Sequence, residues 1–185
     1  MEKKHLPTQI ESERLWLKKH ELAQAQTQFQ YICQDRERLA AFLPWVPYIK
    51  TVEDEHKFIL QTHAWWAEYK HFDYGVFRKE DGEYLGNIGA HHLEWNNDCC
   101  ELGYWILGKH EGKGYITEAV KALEKTLFSE GFHRIEIRCD PLNARSAGVP
   151  KRCGYTLEGH LKENTLQESG YRDTLIFGKT HKYYT

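Results

Sequence analysis

The stretch that decides the fold runs from Glu101 to Tyr115 and reads Glu-Leu-Gly-Tyr-Trp-Ile-Leu-Gly-Lys-His-Glu-Gly-Lys-Gly-Tyr. Its first half predicts a strand, its glycines predict a loop, and apolar residues recur at helical spacing from Tyr115 onward. This order places free backbone N–H groups at a helix N-terminus, where the helix dipole favours anions. Gly112 and Gly114 lack side chains, so a pyrophosphate can approach the main chain closely. Spacing alone leaves open a glycine turn that merely enters a helix.

The N-terminal part of the chain predicts one strand and two helices. The strand covers Ile10–Lys18, and the first helix covers His20–Phe42. Two prolines in residues 43–48 interrupt the helical pattern, because proline removes a backbone donor and restricts the residue before it. Thr51 is the predicted N-cap of the second helix, which has acidic residues in its first turn.

The rest of the chain alternates between strands and helices. Strands from Tyr74 to Leu107 are separated by short turns, which predicts antiparallel neighbours. The helix that follows carries a stripe of five apolar residues: Ile116, Ala119, Val120, Leu123 and Leu127. A strand at 134–139, a short helix at 143–153 and final strands complete a mixed α/β (α+β) arrangement. No repeat or linker divides the chain, so we expect one domain over residues 1–185.

Composition excludes several functional classes. A formal net charge of −2 gives no electrostatic case for binding nucleic acid. No apolar stretch approaches the roughly 20 residues of a membrane helix, and no apolar run follows the N-terminal lysines as in a signal peptide. The five cysteines are odd in number and scattered, which favours a reducing compartment. We therefore expect a cytoplasmic protein without a membrane or nucleic-acid partner.

The glycine loop differs from the common nucleotide-binding motifs. No Gly-Lys-Ser/Thr closes it as in a P-loop, and it is not Gly-x-Gly-x-x-Gly. Residues 109–114, Lys-His-Glu-Gly-Lys-Gly, instead resemble the coenzyme A signature of the GNAT superfamily, Arg/Gln-x-x-Gly-x-Gly/Ala, with lysine replacing the first residue. Further segments resemble the ribosomal-protein N-acetyltransferase (RimJ/RimL-type) branch of that superfamily: residues 11–15, 101–105, 114–119, 143–146, 151–155 and 157–159.

The resemblance implies an acetyl-coenzyme A-dependent N-acetyltransferase that acts on a primary amine, with a protein N-terminal α-amine expected as the acceptor. It implies a twisted, mostly antiparallel central sheet that is splayed in its middle and flanked by helices, with the cofactor in the opening. The expected cofactor-binding residues are Ile106, Leu107, Lys109, Glu111, Gly112, Lys113, Gly114, Tyr115, Ile116, Asn143 and Ser146.

The chemistry of acetyl transfer nominates an acid and a base. An α-amine has a reference pKa of about 7.7–8.0 and needs only modest help to lose its proton. Glu101 is the expected general base, with Glu158 and Glu163 in reserve, and a plain strand glutamate in a salt bridge is the alternative. The resemblance places Ser146 as the donor to the departing thiolate, with Tyr155 in reserve, and a serine that only bonds local amides is the alternative.

Trp45 and Tyr104 are the expected acceptor-binding residues. The region around Trp45 borders the acceptor groove in the resembled branch, although an ordinary core tryptophan fits the sequence equally well. A small-amine acetyltransferase and a non-catalytic acyl-coenzyme A sensor remain open as alternatives. Whether the molecule forms a homodimer is also open.

No metal site is expected from the sequence. His91-His92 and Cys99-Cys100 offer ligand chemistry, but adjacent residues on a strand face opposite sides. At most one residue of each pair would then reach a common point, and neither His-Glu-x-x-His nor Cys-x-x-Cys is present.

Overall fold

A computed structural model describes residues 3–167 and 170–181 of the chain. Within these residues the strands form one sheet of eight, in the spatial order β1-β2-β3-β4-β5-β6-β8-β7. The strands are β1 (Gln9–Glu11), β2 (Leu15–Lys19), β3 (Phe72–Arg78), β4 (Tyr84–Glu94), β5 (Cys99–Ile106), β6 (Arg134–Cys139), β7 (Thr156–Gln167) and β8 (Gly170–Thr180). The helices are α1 (Ala25–Gln34), α2 (Arg36–Ala40), α3 (Val52–Glu68), α4 (Tyr115–Ser129) and α5 (Ala144–Arg152).

The sheet opens in its middle, between β5 and β6. These two strands are parallel and pair only between Cys99–Leu102 and Arg134–Ile137, whereas the other neighbouring strands are antiparallel. Beyond Leu102, β5 continues to Ile106 while paired only with β4. The edge of β5 from Gly103 to Ile106 therefore faces an opening rather than a strand. The predicted mostly antiparallel, splayed sheet is confirmed.

Helix α4 packs its predicted apolar stripe against the sheet. All five residues of that stripe are buried. Burial of each large aliphatic side chain among them contributes on the order of 1.5–3 kcal/mol to the free energy of unfolding. The helix begins directly after Gly114, which adopts a left-handed conformation with φ 80° as N-cap. Gly131, with φ 87°, follows its end, as the sequence predicts.

The predicted first strand is wrong in its extent, because Ile10–Lys18 divides into β1 and β2. The turn between them is held by the carboxylate of Glu118 on α4, which accepts hydrogen bonds of 2.7 Å each from Ser12 Oγ, Arg14 N and Arg14 Nε. Burial alone would raise the pKa of Glu118, but these hydrogen bonds lower it below its usual value. A local sequence pattern cannot predict this contact, because its two partners are about a hundred residues apart.

The predicted helix over His20–Phe42 is also divided. A 3₁₀ turn covers Leu22–Gln24, and α1 and α2 are separated at Asp35, which has φ −122° and ψ 17°. The break directs Asp35 toward a distant loop, as described below. The second helix begins as predicted, because the Thr51 side chain accepts a hydrogen bond of 3.2 Å from Asp54 N.

None of the helices in the described part of the chain is long and apolar enough to cross a membrane. All five cysteines are free.

Gly86 on β4 allows β5 to approach closely at the edge of the opening. A Cβ atom there would lie 2.2 Å from the Trp105 carbonyl oxygen and 2.8 Å from Ile106 Cα. Gly86→Ala should therefore lower the free energy of unfolding by about 2 kcal/mol, since backbone atoms cannot rotate away. Urea denaturation measures this change.

Gly159→Ala on β7 is the matched control, because a Cβ there would meet only the Ile176 side chain, at 3.6 Å or more. It should change the free energy of unfolding by less than about 0.5 kcal/mol. Equal effects of the two substitutions would contradict the close approach at Gly86.

Candidate active site

A cavity of about 480 Å³ lies where β5 parts from β6. Its wall combines the free end of β5, the following loop, the starts of α4 and α5, and the α1–α2 region. The lining residues are Arg38, Leu39, Phe42, Leu43, Tyr104, Trp105, Ile106, His110, Glu111, Gly112, Gly114, Tyr115, Ile116, Thr117, Asn143, Arg145, Ser146, Val149 and Arg152.

The backbone amides from Gly112 to Thr117 are available to a ligand. Within residues 3–167 and 170–181, none of these six amides donates a hydrogen bond to another protein group, and the first helical bond runs from Glu118 N to Gly114 O at 3.0 Å. Residues 112–114 are exposed, and Gly112 (φ 74°) and Gly114 (φ 80°) adopt conformations that disfavour other residues. Unpaired amides at the positive end of a helix make an anion site.

Arg14 holds this loop from the side of the β1–β2 turn. Its Nη1 donates to the Lys113 carbonyl at 3.1 Å, and its guanidinium lies 4.7 Å from the centre of the Tyr115 ring. Glu118 accepts from the same arginine. The loop is therefore anchored through its carbonyl, and its N–H groups stay free.

Asp35 and Arg38 clamp the other end of the loop. The Asp35 carboxylate accepts the Gly108 amide at 2.7 Å, and Arg38 Nη2 donates to the Ile106 carbonyl at 2.6 Å. Burial alone would raise the pKa of Asp35, but hydrogen bonds from Arg38 and Gly108 lower it, which keeps the carboxylate charged. Arg38 Nη1 also binds Glu111 at 2.7 Å.

The wall is positively charged. Three arginines and one glutamate line the cavity, and that glutamate, Glu111, is ion-paired with both Arg38 and Arg145. The wall thus has no unpaired carboxylate among the described residues, and its electrostatic potential favours an anionic ligand.

Most of the predicted cofactor residues lie on this wall: Ile106, Glu111, Gly112, Gly114, Tyr115, Ile116, Asn143 and Ser146. Three do not line it. Leu107 is buried with its amide on the Leu85 carbonyl, Lys109 pairs with Glu83 above the Tyr31 ring, and Lys113 is exposed beyond the cavity. Their direct contact with a cofactor stays a prediction.

Two hydroxyl groups approach each other at the start of α5. The Asn143 side chain, not Ser146, caps the helix, since Asn143 Oδ1 accepts Ser146 N at 3.0 Å. The Ser146 hydroxyl therefore takes no part in the cap and lies within hydrogen-bonding reach of the Tyr104 phenol. Tyr104 Oη donates to the Ser146 carbonyl at 3.1 Å, and burial raises the pKa of Tyr104, so the phenol stays protonated.

Glu101 lies outside the cavity wall, on the sheet face of Gly103 and Trp105. It accepts from His92 Nδ1 at 3.0 Å and lies 3.4 Å from Arg138 Nε. Gly103 separates it from Trp105, which does line the cavity. Glu101 and Trp105 are four residues apart on the strand, or roughly 13 Å between Cα atoms.

Trp45 does not line the cavity either. Its ring centre lies 5.7 Å from that of Trp105, in a small apolar cluster with Val46 and Leu39. Trp45 therefore packs against Trp105, which is a residue of the cavity wall. Contact with an acceptor stays a prediction.

His91 and His92 lie on the same side as Glu101, so the geometric reason for dismissing a metal site is wrong for this pair. The β4–β5 register shifts between His91 and Glu94, and His92 adopts φ 48°. This bulge cancels the alternation of neighbouring side chains. Burial lowers the pKa of His91 to about 4, with nearby His71 and His92 adding to the effect, so its imidazole is neutral at neutral pH.

Several wall residues escaped the sequence analysis, above all Arg38, Trp105, Arg145 and Arg152. Arg145 lies within the Asn-Ala-Arg-Ser segment and could have been nominated from that motif. Arg38 could not, because its contact with Ile106 spans 68 residues of sequence.

Comparison with known proteins identifies a family and relatives of this chain. Residues 14–156 match the acetyltransferase (GNAT) domain family. The chain is 30% identical over 152 residues to the ribosomal-protein-serine acetyltransferase of Escherichia coli (strain K12), a match that covers 82% of this chain and 84% of that protein. It is 30% identical over 111 residues to the ribosomal protein uS5-alanine N-acetyltransferase of the same organism, which covers 59% and 57% of the two chains.

Solved structures show the same fold. The Microcin C7 self-immunity acetyltransferase MccE, in complex with acetyl-CoA and AMP, has a TM-score of 0.87 at 23% identity, covering 92% of this chain and 94% of that chain. RimL, a ribosomal L7/L12 α-N-protein acetyltransferase in complex with coenzyme A, has a TM-score of 0.87 at 22% identity, covering 95% and 97%.

The free amides, the opened sheet and these matches agree on one conclusion, and the predicted family, enzyme class and cosubstrate are confirmed. The chain belongs to the GNAT acetyltransferase family, in its ribosomal-protein acetyltransferase-like branch, and is an N-acetyltransferase with acetyl-CoA as cosubstrate.

Proposed function

We propose that the protein acetylates the N-terminal α-amino group of another protein, with a ribosomal protein as the acceptor class. Two relatives whose names specify ribosomal-protein serine and alanine acetylation support the acceptor. Free cysteines and ribosomal acceptors suit the cytoplasm, which we propose as its location.

The observation that carries this proposal over a small-amine enzyme is the charge of the cavity wall. A polyamine or an amino sugar brings positive charge that must be neutralised during binding, and the wall offers three arginines and a glutamate already paired twice. A peptide N-terminus brings one amine, about half of which is neutral at a pH equal to its pKa of about 7.7–8.0. Such an acceptor needs no acidic pocket.

In this proposal the cofactor's pyrophosphate binds the amides of residues 112–117. Its pantetheine lies along the free edge of β5, where backbone groups alternate in direction. The Ile106 carbonyl points away from β4 and is taken by Arg38, so by the same alternation Tyr104 presents its N–H and C=O to the opening. The thioester then lies near Tyr104 and Ser146.

The reaction is a direct transfer. The neutral amine attacks the thioester carbonyl, the C–N bond forms, and the C–S bond breaks as the thiolate leaves. The Ser146 hydroxyl hydrogen-bonds to the departing thiolate and passes it a proton while taking one from water, and it is available for this because Asn143 performs the capping. The proton from the amine reaches Glu101 through water along Gly103, beside the neutral imidazole of His91.

An acceptor panel tests the proposal. A peptide with a free N-terminus should show a kcat/KM roughly 100-fold above that of the same peptide with a blocked N-terminus and one lysine, because far less lysine is neutral near pH 7.5. Thiol release measures turnover. Turnover only with small amines would replace the acceptor, and coenzyme A binding without any turnover would contradict the catalytic proposal.

Replacing Gly114 tests the amide site. Acetyl-CoA at about 100 times its Kd should raise the Tm of the wild type by roughly 5–10 °C, and Gly114→Leu should abolish most of that rise. Gly131→Leu is the matched control, because it puts a side chain at the other end of α4 with a similar φ. Both variants should lose stability without ligand. An undiminished ligand-induced rise in Gly114→Leu would contradict the amide site.

Replacing Glu101 tests the base. Glu101→Gln should lower kcat about 100-fold near pH 7 and by much less near pH 9, where the amine is already neutral. Glu158→Gln should change both much less, since Glu158 pairs with Arg134 and is connected to Glu101 only through the ion pairs of Glu136 and Arg138. A pH profile of Glu101→Gln parallel to that of the wild type would remove Glu101 from this role. Loss of activity in Glu158→Gln would transfer the role to the reserve carboxylate.

A further inference from the structure

A bulge in β4 collects three metal-binding side chains at one point beside the proposed base. Each of His91, His92 and Glu101 offers a ligand atom, and the three atoms lie within 4.8 Å of one another. His92 is on the outside, with 77% of its side chain exposed, and Glu101 is on the inside at 13%. The cluster is open to solvent on one side and held by the sheet on the other.

Two local features create the convergence. His92 has φ 48°, which turns it back to the side of its neighbour instead of the opposite face. The His91 ring occupies the space left by Gly103, where a Cβ would lie 2.7 Å from His91 Nε2. The backbone of both strands thus prearranges the ligands, with no need for a flexible loop.

The spacing suits a first-row divalent ion. Metal–ligand bonds of about 2.0–2.2 Å in a tetrahedral site separate ligand atoms by roughly 3.3 Å. Here Glu101 Oε2 lies 3.0 Å from His92 Nδ1, and Glu101 Oε1 lies 4.0 Å from His91 Nε2. The longer distance is the one to His91, whose ring packs against Gly103, and a small rotation of the Glu101 carboxylate shortens it. Two imidazole nitrogens and one carboxylate oxygen are the donor set that Zn²⁺ and its neighbours accept, and water completes the coordination.

The surrounding charges permit such an ion. Arg138 lies 3.4 Å from the Glu101 carboxylate and is the competing cation, but its side chain is 42% exposed and also binds Glu136, toward which it can withdraw. His71 lies beyond His91, with ring centres 5.4 Å apart, and Asp73 lies 3.7 Å from His71. The Asp73 carboxylate therefore adds negative charge behind the His71 and His91 rings.

We propose that His91, His92 and Glu101 bind a divalent transition-metal ion of the Zn²⁺ type. The metal ion coordinates the Glu101 carboxylate, which is also the group that accepts the amine proton. Metal binding and acetyl transfer therefore compete. This consequence rests on the proposed function, in which Glu101 is the base, whereas the metal site does not depend on it.

Metal binding is measured without any enzymatic readout. Isothermal titration with Zn²⁺ and visible absorption with Co²⁺ should give one site in the wild type. His92→Asn should weaken binding by at least about tenfold, because it removes one ligand while asparagine tolerates the left-handed conformation. His56→Ala, which removes an exposed histidine of α3 outside the cluster, should bind as the wild type does. Equal binding by His92→Asn and the wild type, or no binding by the wild type, overturns the site.

Acetyl transfer with added Zn²⁺ is the second arm. Inhibition of the wild type and of His56→Ala at the Zn²⁺ concentration that fills the site is expected, and His92→Asn should need at least about tenfold more metal. If Zn²⁺ fills the site and transfer continues unchanged, the competition is overturned and Glu101 is not the base, although the metal site stands. If the protein has no transferase activity with any acceptor, the titrations still decide the metal site.

Discussion

The rest of the structure depends on six consecutive backbone amides, at residues 112–117, that have no protein partner in the described part of the chain. The first N–H groups of any helix lack intrahelical acceptors, and Gly114 as N-cap has no side chain to supply one. These amides need water or an anion, because leaving them desolvated costs free energy. They lie beside the point where β5 leaves β6, so a second set of unpaired backbone groups faces the same space. One ligand with a phosphate end and an amide-bearing chain satisfies both sets.

The helices before the sheet keep this space open. Asp35 and Arg38 hold the Gly108 amide and the Ile106 carbonyl, and these contacts replace the strand pairing that β5 loses. Both side chains are charged and partly buried, where hydrogen bonds to charged groups are worth about 1.5–3 kcal/mol each. The same arginine neutralises Glu111 on the cavity wall. One clamp therefore fixes the strand end and neutralises the glutamate of the cavity wall.

The sequence predicts the elements whose causes are local. Three predicted features depend on residues only a few positions apart, and the structure has all of them: the apolar stripe of α4, the glycines at the two ends of α4, and the Thr51 cap of α3. The two departures among the early elements have distant causes: Glu118 holds the Ser12–Arg14 turn, and Asp35 breaks a helix to reach Gly108. The residues of the site also fall into a group with local causes and a group with distant causes. Its glycines and helix start follow from the motif, whereas the arginine clamp and the convergence of His91 with Glu101 depend on contacts and a bulge that no periodicity encodes.

Hydrogen exchange at the amides of residues 112–117 tests the central claim most directly. Coenzyme A should slow exchange at these amides in particular, because the pyrophosphate becomes their acceptor. Pantetheine, which lacks the pyrophosphate, should leave them nearly unchanged while it protects Tyr104 on β5. Slowed exchange elsewhere, with residues 112–117 exchanging as fast as in the free protein, would contradict the account.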